Sequence, residues 1–135
     1  VADASSKDRT VEIAKEYGAK VVPGGVISVG RNNGFNASTQ DTIVFLDADV
    51  QLLKENDLKE IIDLFESKQL DCATCHFEYT GDKSFANYMT TKFINIAKDI
   101  SAVSLLPGLK WDWGTVVIVK REAFEAIGGF VTEFK

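Results

Sequence analysis

The sequence is poor in the residues that bind zinc, haem and nucleic acid. It contains two cysteines and one histidine, whereas a structural zinc site needs four cysteine or histidine ligands. Its net charge is -5, and its lysines and arginines are scattered along the chain instead of forming a basic patch. A groove for nucleic acid needs such a patch to neutralise phosphates. We therefore expect no nucleic-acid partner, and an anionic substrate would require a bound cation.

The sequence also lacks long apolar runs. No stretch approaches the ~18 to 20 apolar residues of a membrane span. The N-terminus has no basic region followed by an apolar core, as a signal peptide would. The composition, with 45% hydrophobic and 26% charged residues, is that of an ordinary globular domain. We predict a single domain over residues 1–135 that is cytoplasmic and has no membrane span.

The two cysteines, Cys72 and Cys75, stand in a Cys-x-x-Cys-His pattern that also occurs in haem-attachment, zinc and redox motifs. They fall in a predicted strand, 71–79, where residues three apart point to opposite faces of a sheet. Such a pair cannot share a haem, a zinc ion or an unstrained disulfide. We predict two buried, reduced thiols beside His76, to which no role is assigned.

The most informative stretch is an apolar run, 42–46, that ends in Asp47 and Asp49 with Ala48 between them. The unbroken run predicts a central strand covered on both faces. Ligands of open α/β sheets bind at the carboxyl edge, where these two acids emerge. The two carboxylates repel unless a cation lies between them, and Mg²⁺ or Mn²⁺ is commonly held by one or two carboxylates plus substrate phosphates. The alternative is a turn and a helix cap after an ordinary strand, and this motif alone does not decide between the two.

The rest of the pattern alternates strands with helices. Strands are predicted at 1–3, 19–23, 42–46, 71–79 and 115–119, and helices at 8–17, 26–38, 55–67, 84–100 and 121–127. Such alternation predicts an α/β sandwich with a mostly parallel central sheet flanked by helices. The apolar residues of helices 55–67 and 84–100 recur at helical spacing, so we expect them to face inward, whereas Asp57 should be solvated. We expect the strands that end at Asp3 and Asp49 to be parallel neighbours, with both acids at one edge.

Four segments resemble motifs of the family 2 glycosyltransferases of the GT-A type. In that family an acid at the end of a strand recognises the nucleotide base, and an Ala-Arg-Asn-x-Gly helix lies near the nucleotide. A DxD element follows, and Arg-Arg-x-x-Phe and Gly-Gly-Phe segments close the pattern. The similar segments here are residues 1–10, 31–35, 45–49 and 120–130. The motifs are short, but four of them in family-like order cover nearly the whole chain.

The resemblance implies an enzyme with a GT-A sandwich that moves a sugar from a nucleotide-diphosphate donor to an acceptor hydroxyl with inversion. It implies that Asp3 contacts the nucleotide base and that Arg31 lies beside the nucleotide. It also implies a DxD metal site in which Asp49 binds Mg²⁺ or Mn²⁺ and Asp47 faces the metal or the ribose. The expected partners are the nucleotide-diphospho-sugar and a glycan, lipid or protein acceptor.

This chain departs from the family pattern at two places. Ala4 and Ser5 replace an acid and a glycine, so the base contact would rest on Asp3 alone. The family's first strand would precede residue 1, and its catalytic base would lie at or beyond the last residue. We therefore expect a fragment of a longer enzyme, attached to the cytoplasmic face of a membrane, if at all, through segments outside it. Glu133 is the nearest acid to the expected base, and we assign no catalytic residue.

Two other functions are compatible with parts of the sequence. Residues 44–50 also resemble the first motif of haloacid dehalogenase-type phosphatases, but no adjacent acidic pair follows Asp49 to complete that site. A fragment that binds a nucleotide sugar without transferring it is the non-catalytic alternative. Trp111 and Trp113, on either side of an aspartate, either form a wall for sugar or acceptor or fill the edge of the core.

Overall fold

The structure is a computed structural model that describes residues 1–76, 84–103 and 116–132. Strands and helices alternate along these residues. The elements are β1 (Ala2–Asp3), α1 (Thr10–Glu16), β2 (Val22–Pro23), α2 (Ile27–Ala37), β3 (Thr42–Leu46), α3 (Asp57–Ser67), β4 (Cys72–Thr74), α4 (Phe85–Val103), β5 (Val116–Lys120) and α5 (Arg121–Ala126). The predicted α/β class is confirmed. Trp111, Trp113 and Glu133, together with the end of the predicted strand 71–79, lie outside the described residues.

The strands form two sheets. β1 and β2 pair in parallel, with Ala2 opposite Val22, whereas β3, β5 and β4 form an antiparallel sheet in that order. Among the described strands the parallel pairing is thus confined to β1 and β2. The sheet was expected to be mostly parallel, and the pairings of β3 and β4 with β5 correct this. The expected pairing of the strands that lead to Asp3 and Asp49 is also wrong here, because the described parts of β1 and β3 belong to different sheets.

The middle position in the antiparallel sheet belongs to β5 and not to β3. Four consecutive residues of β5, from Val116 to Val119, are buried, and Ile118 is only 1% exposed. β3 pairs with β5 along one side within the described residues, and only Ile43 and Phe45 are buried on it. The prediction that β3 is covered on both faces is therefore wrong. An apolar run shows only that a strand can be buried on both faces. The alternation of buried residues along β3 shows that only one of its faces is buried.

A cluster of aromatic rings joins the antiparallel sheet to helices α2 and α5. Phe35 of α2, Phe45 of β3 and Phe124 of α5 are buried, and Phe130 packs against them. The ring centroids of the contacting pairs lie 4.5 to 5.2 Å apart in tilted or edge-on arrangements. Aromatic pairs prefer these geometries, and each buried ring contributes roughly 2 to 3 kcal/mol through the area it removes from water. This cluster fixes α2 against the end of β3.

Helix α3 packs only partly as predicted, since Phe65 is buried whereas Leu58 is 37% exposed. Helix α4 does not pack as predicted, because Phe85 and Phe93 are 77% and 72% exposed, and Met89 and Ile96 are exposed as well. Helical spacing of apolar residues identifies an apolar face but not what covers it. No helix in the described part of the chain is both long and apolar enough to cross a bilayer.

The two cysteines form no disulfide, but they are not both buried as predicted. Cys72 is exposed and Cys75 is half-buried. The burial of β4 alternates, so that Ala73 faces the protein while Cys72 and Thr74 face solvent. β4 is an edge strand of the sheet that the described strands form, and only the face that carries Ala73 is covered.

Candidate functional site

Strand β3 delivers its two acids into a tight turn. The last residue of β3, Leu46, pairs with Val116, and the chain then turns so that the Val50 amide donates to the Asp47 carbonyl over 3.1 Å. Asp49 occupies the turn and is exposed. Within the described part of the chain its carboxylate has no hydrogen-bonding or ionic partner. The turn therefore presents one uncompensated carboxylate to solvent.

The other acid of the turn is paired with Arg31 of α2. Arg31 Nη2 donates a hydrogen bond to Asp47 Oδ1 over 2.7 Å. The Arg31 and Asp47 side chains are 20% and 36% exposed, so the pair is partly shielded from water. Hydrogen bonds between charged partners are about twice as strong as neutral ones. Arg31 thus balances the charge of Asp47, a role that the sequence assigned to a cation.

The Arg31 guanidinium also lies over the ring of Phe130, with 5.2 Å between Cζ and the ring centroid. Phe130 is held by the neighbouring residue of α2. The Asn32 amide donates to the Phe130 carbonyl over 2.9 Å, and the Phe130 amide donates to Asn32 Oδ1 over 3.0 Å. The Gly-Gly-Phe segment is thereby attached to the helix that carries Arg31.

Gly129 is required by this attachment. Its φ is +79°, which favours glycine, and a Cβ atom placed there would lie 2.9 Å from Asn32 Oδ1 and 3.4 Å from Phe124 Cε1. A side chain at this position would push Asn32 away from Phe130. The Gly-Gly-Phe segment therefore does more than end a helix, which sequence reasoning did not establish.

Asp3 lies at the end of β1, where its carboxylate organises the following loop. Asp3 Oδ2 accepts hydrogen bonds from the amides of Ser5 and Ser6, both over 3.0 Å. The Ser6 hydroxyl and amide, followed by the Ser5 amide, hold the pKa of Asp3 below its ordinary value because they stabilise the charged form. Ser5 takes a φ of +72°, a left-handed conformation that favours the glycine found at this place in the family motif.

A pocket of about 480 Å³ opens where the parallel strands β1 and β2 end. Its walls are Asp3, Ala4, Ser5, Val21, Val22, Pro23, Gly24 and Gly25. The Gly24 amide donates to the Asp3 carbonyl over 2.7 Å, and a Cβ atom at Gly24 would lie 2.6 Å from the carbonyl carbon of Asp3. Only glycine fits between the two strand ends. No role was assigned to Gly24 and Gly25 from the sequence, although two glycines directly after a strand could have suggested a ligand pocket.

Helix α2 connects this pocket with the turn that contains Asp47 and Asp49, which we call the acidic turn. Gly30 lies against β1 and the pocket, since its Cβ position is 3.5 Å from both Ala2 Cβ and Gly24 Cα. Arg31, the next residue, reaches Asp47. Of the four residues predicted for the site, the structure thus joins Arg31 directly to Asp47 and connects Asp3 to them through α2. Asp49 follows in the same turn as Asp47.

Arg121, in the segment that matches the Arg-Arg-x-x-Phe motif, supports the fold around this helix. Its Nε donates to the Gln40 carbonyl over 2.9 Å and Nη2 donates to Ser38 Oγ over 2.8 Å. Its guanidinium carbon lies 4.6 Å from the centroid of Phe35. These contacts fix the end of α2 and the start of β3, so Arg121 acts on the site through the backbone.

The acids of the turn have the donor chemistry of a site for a hard divalent cation. Within residues 1–76, 84–103 and 116–132, no group of three or more histidine, cysteine and acidic side chains is arranged to hold a metal by itself. Asp49 nevertheless offers a solvent-exposed carboxylate beside Asp47. Mg²⁺ and Mn²⁺ commonly take one or two carboxylates and complete their coordination with phosphate oxygens and water. The donor chemistry therefore fits such an ion.

Two comparisons with known proteins bear on this site. The sequence model of the family described as Glycosyl transferase family 2 matches residues 1–128. A similar protein is the 4,4'-diaponeurosporenoate glycosyltransferase of Staphylococcus haemolyticus (strain JCSC1435), which is 37% identical over an alignment of 78 residues. The alignment covers 51% of this chain and 21% of that relative, so it spans about a fifth of the relative's length.

Proposed function

The chain belongs to glycosyl transferase family 2, and from that premise we propose that it transfers a sugar from a nucleotide-diphosphate donor to an acceptor hydroxyl with inversion. The predicted family and its α/β, GT-A-like fold are confirmed. The phosphatase alternative is set aside, because it was drawn from residues 44–50 alone, whereas the family match extends over residues 1–128. One observation carries the proposal: α2 links the pocket at Asp3 to the Arg31–Asp47 pair beside Asp49.

The nucleotide base enters the pocket at the ends of β1 and β2. Asp3 accepts hydrogen bonds from the base or its ribose. Its loop contacts leave lone pairs available for this, since a carboxylate has about four lone-pair sites. The low pKa of Asp3 keeps it an acceptor at neutral pH. The backbone of Gly24 and Gly25 lets a flat ring approach without meeting a side chain. This assignment is supported by the pocket volume and by the position of Asp3 in its wall.

The diphosphate then lies toward the turn after β3. Asp49, together with Asp47, would hold a Mg²⁺ or Mn²⁺ ion, which would neutralise the charge that develops on the departing diphosphate. Arg31 fixes Asp47 and prevents the two carboxylates from repelling each other without compensation. The support for this step is the uncompensated charge of Asp49 in an acidic protein of net charge -5.

The acceptor hydroxyl attacks the anomeric carbon from the face opposite the diphosphate. The new bond forms between the acceptor oxygen and that carbon, and the bond to the diphosphate oxygen breaks with its electron pair on the leaving group. A carboxylate outside the described residues takes the acceptor proton. Attack from the opposite face inverts the configuration.

Binding and turnover measured on one sample test this function. UDP and GDP are titrated by calorimetry with Mn²⁺ and again with EDTA, and release of nucleoside diphosphate from UDP- and GDP-sugars is followed with candidate acceptors. The acceptor named in the relative, 4,4'-diaponeurosporenoate, is one of these. Metal-dependent binding with turnover supports the transferase. Metal-dependent binding without turnover for any acceptor supports the non-catalytic alternative, and no binding to either nucleotide refutes the site.

A further inference from the structure

Asn32 occupies an unusual position for an amide on a surface helix. Both of its polar ends bond to the backbone of one residue, Phe130, which is 98 residues further along the chain. The contact uses both the backbone donor and the backbone acceptor of that residue. It therefore fixes the position and the direction of Phe130 relative to α2. An alanine at position 32 would lose both bonds at once.

The residue that Asn32 holds in place supports Arg31. The Phe130 ring packs edge-on against Phe45, at 5.1 Å between centroids, and its face lies under the Arg31 guanidinium. A cation over an aromatic face is attracted to it, and the ring also restricts the rotamers that the cation can take. Arg31 in turn bonds to Asp47. A chain of direct contacts thus runs from Asn32 through Phe130 and Arg31 to the acidic turn.

We propose that Asn32 is a positioning residue: it holds the Phe130 ring under Arg31, and the ring holds Arg31 in the orientation in which it bonds to Asp47, beside the proposed site of the cation that binds the nucleotide diphosphate. The proposal rests on the proposed function for the identity of the ligand. The orientation of Arg31 does not depend on that identity and can be measured in the free protein.

Nuclear magnetic resonance of the arginine side chains tests the positioning directly. The sequence contains three arginines, Arg9, Arg31 and Arg121, so the Nε–Hε region of a ¹⁵N-labelled sample is simple, and the signal lost in Arg31→Lys identifies Arg31. We expect the Phe130 ring current to displace this signal in the wild type, because the guanidinium lies over the ring. We expect Asn32→Ala to move it toward the position of a solvated arginine, as Phe130→Leu does. The Arg9 signal serves as an internal reference.

Binding of UDP in the presence of Mn²⁺ tests the consequence. We expect Asn32→Ala and Phe130→Leu each to weaken binding about three- to tenfold, the range of a partly exposed cation–π contact. The double variant should bind UDP about as weakly as the more affected single variant, within about twofold, because both changes remove the same support. Asn36→Ala is the matched control, since Asn36 is an exposed asparagine of α2 whose side chain has no partner among the described residues.

Each outcome bears on the proposal. If Asn32→Ala lowers the unfolding temperature but leaves the Arg31 signal in place, Asn32 only stabilises the fold and the proposal is overturned. If Asn32→Ala does not fold, Asn32→Asp and Phe130→Leu give the same decision, because Asp keeps the size while placing an oxygen against the Phe130 carbonyl. A wild type that binds no nucleotide refutes the proposed function, while the arginine signals still decide on the role of Asn32.

Discussion

Replacing Asp49 by alanine should abolish most of the metal-dependent affinity for a nucleoside diphosphate. Among the described residues, Asp49 is the acid of the turn without a partner, since Arg31 already balances Asp47. Removing it takes away a unit negative charge next to the proposed divalent ion. At about 4 Å in a water-like dielectric, that interaction is worth roughly 2 kcal/mol, and partial exclusion of water by the ligand raises it. We expect a loss of about 2 to 3 kcal/mol, or roughly 30- to 150-fold in Kd.

The control for this variant has to be an acid without a structural task. Asp57 was expected to be solvated, but the structure corrects this, because Asp57 Oδ2 accepts hydrogen bonds from the Leu53 and Lys54 amides, both over 2.9 Å. It ties down the segment between the acidic turn and α3, so Asp57→Ala would disturb the site indirectly. Glu60, in the first turn of α3, is exposed and has no side-chain partner among the described residues. Glu60→Ala should change binding by less than about 0.5 kcal/mol.

Calorimetric titration of UDP and GDP into the wild type and the two variants, with Mn²⁺ and then with EDTA, measures the effect. Thermal unfolding followed by circular dichroism shows first that each sample is cooperatively folded. Equal wild-type affinity in EDTA and in Mn²⁺ would remove the metal from the mechanism. Binding by Asp49→Ala that matches Glu60→Ala would show that the metal, if present, is held elsewhere.

Other changes test the pocket and its loop. Ser5→Gly should stabilise the protein by up to about 1 kcal/mol in urea unfolding, because it relieves a left-handed φ while the backbone bond to Asp3 is kept; a loss of stability would contradict this. Gly24→Ala should cost roughly 1 to 3 kcal/mol and weaken nucleotide binding, since its Cβ meets the Asp3 backbone. Its control, Gly34→Ala in open space on α2, should gain up to about 1 kcal/mol, and the same urea experiment compares the two. Asp3→Asn should remove a pH-dependent part of the stability, because the pKa of Asp3 is lower in the folded protein than its ordinary value of 3.8. The contribution of Asp3 to stability is therefore full above pH 3.8 and disappears as the pH falls through the folded pKa. Unfolding curves from pH 6 to pH 2 should therefore differ between wild type and Asp3→Asn at the upper end and converge at the lower end.

The local elements were largely predictable from the sequence, because they follow from periodicity and turn residues. α2, β3 and α3 lie where the spacing of apolar residues placed them, within a few residues at each end. The resemblance likewise pointed to Arg31 and Asp47, which the structure brings into contact. These features are short-range or carried by motifs, so a single sequence contains them.

What sequence reasoning missed depends on contacts between distant segments. The position of β5 between β3 and β4, and hence the single covered face of β3, depends on strand order, which hydrophobic patterns do not encode. The pairing of Asn32 with Phe130 and the close approach of Gly24 to Asp3 are likewise matters of three-dimensional fit. An asparagine and a glycine are common in loops and helices alike, so nothing in their local sequence announced these roles.

The sequence separation within the Asn32–Phe130 contact has a consequence for how the protein is made. Its two partners are 98 residues apart, and closing a loop of that length costs about 4 kcal/mol of chain entropy before the contact returns anything. At a synthesis rate of about 5 to 20 residues per second, a ribosome releases α2 and β3 roughly 5 to 20 seconds before the segment that completes their packing. During that interval β3 has no β5 to pair with, and its apolar side chains are available to chaperones and to other nascent chains. The acidic turn is therefore translated well before the segment that orders it.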